Sequence, residues 1–309
     1  MKAILTVTAN PAVDLYVTVD RLVPRQKLRC RMPRRDPGGG GVNVARAVRN
    51  LGGEAVAVYH SGGVMGEALG RMLTEEGVEH YPVPISGEVR ESLVVLEAGS
   101  GREYRLVLPG PEVREEEWRR CLDLLAAWAP VPDYLVGSGS LPPGAPEDFW
   151  ARVSRVARTG GARMVVDSSG AGLAAALEEG VYLAKPNRTE LEAVTGSRLE
   201  DEEALREASR DLVEKGACRV LALSLGSEGA LLTWEGGHRR VRVPEVEIRS
   251  DVGAGDSFVA GMVLALSRGK DVEEAFCFGV AAGTAALATP GTELCRRDDA
   301  EALFRQLCG

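Results

Sequence analysis

The feature that most constrains how this chain can fold is an alternation running through its second half. Short apolar runs, 133-DYLVGSG-139, 163-RMVVD-167, 181-VYLAK-185 and 219-RVLALSL-225, are separated by helically spaced stretches at 146–159, 170–179, 188–195 and 201–216. Apolar strands divided by helices bury both their faces in a parallel sheet held between two helix layers. The N-terminal runs 3-AILTVTA-9 and 54-EAVAVYH-60, with a helical stretch at 42–51 between them, continue the same pattern. The spacing therefore predicts an α/β fold around a mostly parallel sheet.

Four runs break the pattern: 14-DLYVTVD-20, 27-KLRCRM-32, 91-ESLVVLEA-98 and 103-EYRLVL-108. They alternate polar and apolar residues, as a sheet with one wet face does. The last two flank Gly99-Ser100-Gly101-Arg102, a hairpin signal. We expect a small accessory sheet, inserted at about 14–32 and 91–108, that covers one end of the larger sheet as a lid.

Bulk properties narrow the function. A length of 309 residues allows two domains or one large one with an appendage. A net charge of −8 argues against a broad nucleic-acid footprint, so an anionic ligand would need a local cluster of positive groups. No apolar run is long enough to span a membrane, and 1-MKAILTVTANPAVDLYV-17 turns polar too early for a signal peptide. The six cysteines (Cys30, Cys121, Cys218, Cys277, Cys295, Cys308) form no C-x-x-C pair and read as reduced thiols of a cytoplasmic protein. His60, His80 and His238 are too scattered to suggest a metal site.

Two glycine-rich segments each open a helix. In 36-DPGGGGVNVARAVRNLGG-53, Gly39 and Gly40 allow close approach of the backbone to a ligand, and Asn43 falls in the first turn. In 252-VGAGDSFVAGMVLAL-266, Gly253, Ala254 and Gly255 align N–H donors at a helix start, an anion hole. Asp256 falls in the first turn, where the helix dipole favours its ionised form, and it serves equally as an ordinary N-terminal acid. No P-loop, dinucleotide fingerprint or G-x-S-x-G elbow is present. In 185-KPNRTELEAVTG-196, Lys185, Asn187 and Glu190 gather at a strand end; Glu190 suits Mg²⁺ through water or a capping box with Asn187. Ser224 and Gly226 end a strand as a nucleotide edge or a tight turn, and Lys27, Arg29, Arg90 and Arg105 offer a phosphate clamp or a solvated sheet face.

Taken in order, Asn10-Pro11 with Asp14, 38-GGGGVNVARA-47, 139-GSLPPG-144, 167-DSSG-170, 185-KPNRTEL-191, 224-SLGSEGA-230 and 252-VGAGDSFVAG-261 resemble the PfkB sugar-kinase family over nearly the whole chain. The likeness is to its phosphofructokinase and tagatose-6-phosphate kinase branch. It implies a ribokinase-like three-layer α/β/α domain with a small β-sheet lid. The implied activity is ATP-dependent phosphorylation of a ketohexose phosphate, fructose 6-phosphate on its 1-hydroxyl, with fructose 1-phosphate or tagatose 6-phosphate as alternative acceptors. Asp256 becomes the base that accepts the hydroxyl proton, and Gly253, Ala254 and Gly255 the anion hole. Asp14, Gly39, Gly40 and Asn43 hold the sugar, and Lys27, Arg90 and Arg105 its phosphate, with Ser140 nearby. Lys185, Asn187, Ser224 and Gly226 hold ATP, and Glu190 orders Mg²⁺. Ser250, Val252, Ala286 and Gly291 match a site for a monovalent cation such as K⁺, where Asp251 and Glu293 add acidic character. The resemblance also implies a homodimer formed through the lid sheets. A non-catalytic sugar- or nucleotide-binding regulator on the same scaffold would have lost the acid or the glycines, and all are present.

Overall fold

The structure, a computed structural model, describes residues 4–244 and 246–308, with the side chains of residues 32 and 33 left aside. Residue 3 of the expected first strand lies outside the described residues. In chain order the elements are β1 (Ile4–Thr8), β2 (Ala12–Val19), β3 (Arg31–Gly38), α1 (Gly40–Asn50), β4 (Val56–Ser61), α2 (Gly63–Glu75), β5 (Glu79–Pro84), β6 (Arg90–Glu97), β7 (Arg102–Val107), α3 (Glu115–Ala126), β8 (Tyr134–Ser138) and α4 (Phe149–Gly160). They continue as β9 (Arg163–Asp167), α5 (Gly170–Glu179), β10 (Val181–Ala184), α6 (Arg188–Thr195), α7 (Glu202–Glu214), β11 (Cys218–Ser224), β12 (Ala230–Trp234), β13 (Gly237–Val241), α8 (Ala254–Ser267), α9 (Val272–Leu287) and α10 (Arg297–Cys308).

A nine-stranded sheet of order β13-β12-β11-β10-β9-β8-β1-β4-β5 forms the centre. Its pairings are parallel except β11–β12 and β12–β13, which make an antiparallel edge. Every residue of β1 and β8 is buried, because helices cover both faces. On one face α1, α2, α8, α9 and α10 enclose a core around Val44, Phe258 and Phe276. On the other, α3 to α7 enclose one around Trp118, Phe149 and Trp150. Parallel strands in this sandwich all point their carboxyl ends to one edge, where open α/β sheets bind ligands.

A separate four-stranded sheet, β3-β2-β6-β7, lies over that edge. β2 pairs antiparallel with β3 and parallel with β6, and β6 and β7 form the expected hairpin. Its two faces differ. Asp14, Arg90, Ser92, Val94, Arg105 and Val107 line a cavity, while Leu15, Val17, Val19, Leu93 and Val95 make a small apolar cluster on the alternate positions.

Two sequence expectations need correction. The strand expected at 27–32 is instead β3, beginning at Arg31 and running into the glycine segment. Residues 24–26 turn, and Arg25 adopts a positive φ of 60°, so residues 27–30 leave the ladder. The alternation there was nonetheless physical: Leu28 packs on the Val17, Val19 and Val95 cluster from a loop. The second correction concerns the thiols. Cys277 and Cys308 form a disulfide, with Cα atoms 6.2 Å apart, whereas Cys30, Cys121, Cys218 and Cys295 are free. The bond joins the middle of α9 to the end of α10, positions 31 residues apart that become neighbours only when the helices pack. Among the described residues, no helix is long and apolar enough to cross a membrane.

Candidate active site

Helix α8 begins at the ligand-binding edge. Its N-cap, Gly253, has φ +75°, and a Cβ there would lie 2.3 Å from the Leu294 side chain. Backbone and packing therefore both select glycine. The first-turn acid, Asp256, accepts from Asn43 Nδ2 at 3.0 Å and from Ser138 Oγ at 3.5 Å. Its carboxyl is pushed up to about 7, first by burial and then by the nearby Asp167 charge, with the Asn43 bond and Lys185 opposing. The helix dipole was expected to keep it readily ionised; desolvation outweighs the dipole here.

The first glycine segment is ordered by close contacts. Gly39, at φ +103°, caps α1, and a side chain on Gly40 would strike Ser138 Oγ at 2.3 Å. Thr8 Oγ1 at the end of β1 accepts from Val42 N at 2.8 Å, anchoring the helix start to the sheet. Asn43 is buried on the first turn of α1 and reaches across to Asp256.

The small sheet supplies the opposite wall. Asp14 faces Asp36 on β3 and Ser92 on β6, and Arg105 stands opposite Val94. With Gly39, Gly40, Asn43, Val252, Gly253 and Asp256 these side chains bound a cavity of about 250 Å³. Burial raises the Asp14 carboxyl to about 6 against the pull of Arg90, Arg46 and Arg105. Arg90 donates to the carbonyls of Leu108 at 2.9 Å and Asn10 at 3.3 Å, while its buried Nε has no hydrogen-bond partner among the described residues. Lys27, on the exposed loop before β3, does not line this cavity. Ser140 accepts from Asn10 Nδ2 at 3.2 Å and lies in an adjoining groove that shares Arg90 and Val107 with the cavity.

The remaining expected residues gather at the ends of β9, β10 and β11. Lys185 is buried and paired with Asp167 at 3.0 Å. Burial works against its charge, yet Asp167 holds its pKa above the usual lysine value. Its Nζ lies beside Gly255 rather than on the exposed shelf where Asn187 and Gly226 sit. On that shelf Asn187 bridges to Ser224, whose N–H donates to Pro186 O at 3.0 Å. Glu190 closes a capping box: its Oε2 accepts from Asn187 N at 2.8 Å, and its own N–H donates to Asn187 Oδ1 at 2.9 Å. Burial, against the Asn187 hydrogen bond, raises its pKa above the ordinary glutamate value.

Ser250 and Val252 directly precede α8, Ala286 lies near the end of α9, and Gly291 lies in the loop that follows it. Ser250 N–H donates to Leu287 O at 3.4 Å, and Ala286 O accepts from Thr289 Oγ1 at 2.8 Å. The expected acidic character is masked only in part, and Ser250 Oγ also donates to Glu103 Oε1 at 3.2 Å. Arg34 at 2.8 Å and Arg296 at 2.9 Å neutralise Glu293, and Asp251 is exposed. The Arg34 guanidinium also donates to Pro290 O at 3.2 Å, beside Gly291.

The profile of pfkB family carbohydrate kinases matches residues 5–299. The chain belongs to that family. This carbohydrate kinase is 42% identical over 302 residues to the ATP-dependent 6-phosphofructokinase isozyme 2 of Mycobacterium tuberculosis, covering 97% of this chain and 88% of that one. It is 38% identical over 273 residues to a 1-phosphofructokinase of Xanthomonas campestris, covering 85% and 83%. Its fold superposes with a TM-score of 0.95, at 38% identity and full coverage of both chains, on Escherichia coli phosphofructokinase-2 in complex with substrates and products.

In this kinase, sequence reading missed several partners of the site. Ser138 and Asp167 end strands β8 and β9, and their positions at the carboxyl edge were the available signal. Arg46, a charged residue on the apolar face of α1, carried a plainer one: it is only 5% exposed.

Proposed function

We propose that this kinase transfers the γ-phosphoryl group of ATP to the 1-hydroxyl of fructose 6-phosphate. The observation that carries the reading is a single cavity bounded on one side by Asp256 and the glycine start of α8, and on the other by Asp14, Arg90 and Arg105. Asp256 accepts the proton of the attacking hydroxyl. A carboxyl that titrates near 7 suits that task, because a base works best with a pKa near the operating pH. The N–H groups of Gly253, Ala254 and Gly255 face the phosphoryl oxygens, where preorganised donors stabilise developing charge. Asp14 and Asn43 hold sugar hydroxyls, and Arg90 and Arg105 clamp the sugar phosphate; an unphosphorylated sugar would bring no anion to those guanidiniums. Phosphoryl transfer asks mainly for such positioning and neutralisation.

Asn187, Ser224 and Gly226 carry the nucleotide on their shelf, and Lys185 reaches the phosphates from below Gly255. Among the described residues no three His, Cys, Asp or Glu side chains converge as a metal cage. Glu190 and Asp167 beside Lys185 suit Mg²⁺, which binds through few carboxylates, waters and substrate phosphates. When bound, Mg²⁺ neutralises phosphate charge. The carbonyl groups of Ser250, Val252, Ala286 and Gly291 are the candidates for a monovalent cation. The apolar row Leu15, Leu93, Leu106, with Leu106 54% exposed, supports a homodimer through the small sheets. ATP and a sugar phosphate as substrates favour a cytoplasmic enzyme.

A coupled kinase assay with fructose 6-phosphate, fructose 1-phosphate, tagatose 6-phosphate and fructose tests the reading. Fructose 6-phosphate should give the highest kcat/KM and fructose the lowest. Faster turnover of fructose would remove the phosphate clamp, and preference for another phosphate would reassign the acceptor.

A further inference from the structure

Arg46 sits one turn beyond Asn43 on α1 and is almost fully buried. Its guanidinium is used in three directions. Nε and Nη2 form a fork on the Glu76 carboxylate, at 2.7 Å each. Nη1 donates to the carbonyls of Pro37 at 2.8 Å and Thr292 at 3.2 Å, and to Asn43 Oδ1 at 3.3 Å. One side chain thus joins the strand entering the glycine segment, the residue after α2, the 290–293 loop and the amide that contacts Asp256.

The last contact has a directional consequence. A guanidinium only donates, whereas an amide side chain donates from one end and accepts at the other. With its oxygen turned to Arg46, Asn43 must present its NH₂ to Asp256, as the 3.0 Å contact records. The flipped amide would place oxygen against the Asp256 carboxylate and lose the bond.

We propose that Arg46, anchored by Glu76, is a positioning residue that fixes the Asn43 amide so that it donates to Asp256. The inference rests on the reading of Asp256 as the base. Asp256 is also faced by Asp167 from β9, Lys185 from the end of β10, Asp14 from β2 and Ser138 from β8. Of these neighbours, Asn43 and Lys185 favour the ionised form, and the Asn43 contribution is the larger. Loss of the amide's orientation therefore moves the acid limb of the rate profile to higher pH. Lysine at 46 keeps the charge but lacks the fork that serves Glu76 and Asn43 together.

The test is a double-mutant cycle of Arg46→Lys with Asn43→Ala, read as kcat, KM for ATP and the pH profile of kcat. Arg46→Lys should lower kcat roughly tenfold, shift the acid limb upward and spare the KM for ATP. In the Asn43→Ala background it should change neither kcat nor the limb. Glu76→Gln, at a half-exposed position that leaves Arg46 in place, should shift the limb in the same direction by less, and serves if Arg46→Lys does not fold. Additive effects in the cycle, or a fall in Tm with an unmoved limb in both variants, would overturn the positioning role. Failure of the underlying reading looks different: Asn43→Ala and Asp256→Asn would themselves leave kcat and the limb near normal, and both proposals would fall together.

Discussion

The two sheets obey different rules. The nine-stranded sheet is covered on both faces, and Leu183 in β10 and Val136 in β8 are essentially inaccessible. The four-stranded sheet spends one face on the cavity and leaves the other partly open, with Leu106 more than half exposed. The larger sheet carries Ser138, Asp167 and Lys185 at the ends of β8, β9 and β10, beside the start of α8. The smaller one brings the guanidiniums of Arg90 and Arg105 to the cavity. The cavity is thus closed between a buried scaffold and a half-exposed cover.

The largest effect should come from the scaffold side of the cavity. Asp256→Asn is expected to lower kcat by about 10²- to 10⁴-fold while ATP still binds, measured by coupled assay and nucleotide titration. The same change has a stability signature. The folded carboxyl titrates near 7, against an ordinary value of 3.8, so the folded state holds this proton more tightly. Its stabilising contribution is full below pH 3.8 and is lost as pH rises through 7. Asp256→Asn should therefore denature at higher urea than the parent at pH 8, and a lower midpoint there would contradict the burial argument.

Next comes a pair of substitutions, one in each sheet. Leu183→Ala should cost about 2–5 kcal/mol in urea denaturation, because it opens a cavity in a covered sheet. Leu106→Ser should leave the protomer's stability nearly unchanged and weaken self-association in analytical ultracentrifugation. Equal destabilisation by the two would erase the contrast between the sheets.

The disulfide sharpens the scaffold side further. Unreduced, denatured protein should show the four thiols of Cys30, Cys121, Cys218 and Cys295 by Ellman titration, and six after reduction. Cys308→Ser should lower stability by about 2–4 kcal/mol, the usual value for such a link. Six thiols before reduction would restore the reading of all cysteines as free.

The smallest effect belongs to the exposed side of the cover. Arg105→Ala should raise the KM for the sugar phosphate about tenfold and spare the KM for ATP, consistent with loss of one charge-assisted contact. Arg105 is half exposed and lies 3.8 Å from Asp251, so part of its charge is already answered. Unchanged sugar-phosphate kinetics would remove it from the clamp.

The legibility of the chain follows the same division. The parallel strands and their helices were readable because burial on both faces writes continuous apolar runs: β9 and α5 fall where the spacing placed them. In the cover, alternation identified β2, β6 and β7 but misplaced β3, since a loop residue such as Leu28 can bury its side chain without pairing its backbone. Glycine segments pointed to Gly39, Gly253 and Asp256 because few other roles require such backbones at helix starts. They said nothing of Arg46, Asp167 or Ser138, which matter through partners that only folding brings near, as Ser138 meets Asp256 and Asp167 meets Lys185, or through a hydrogen bond to a side chain one turn away.

The sequence by itself determined the fold class, the two glycine-opened helices and the acid that begins α8, because each is encoded in local spacing and backbone chemistry. Tertiary structure alone decided the rest. It lifted Asp256 to about 7 by burial, turned Glu293 from a free acid into the partner of Arg34, and joined Cys277 to Cys308. Each of those outcomes depends on solvent exclusion or on the distance between segments remote in the chain, and neither quantity exists until the helices have packed on the sheet.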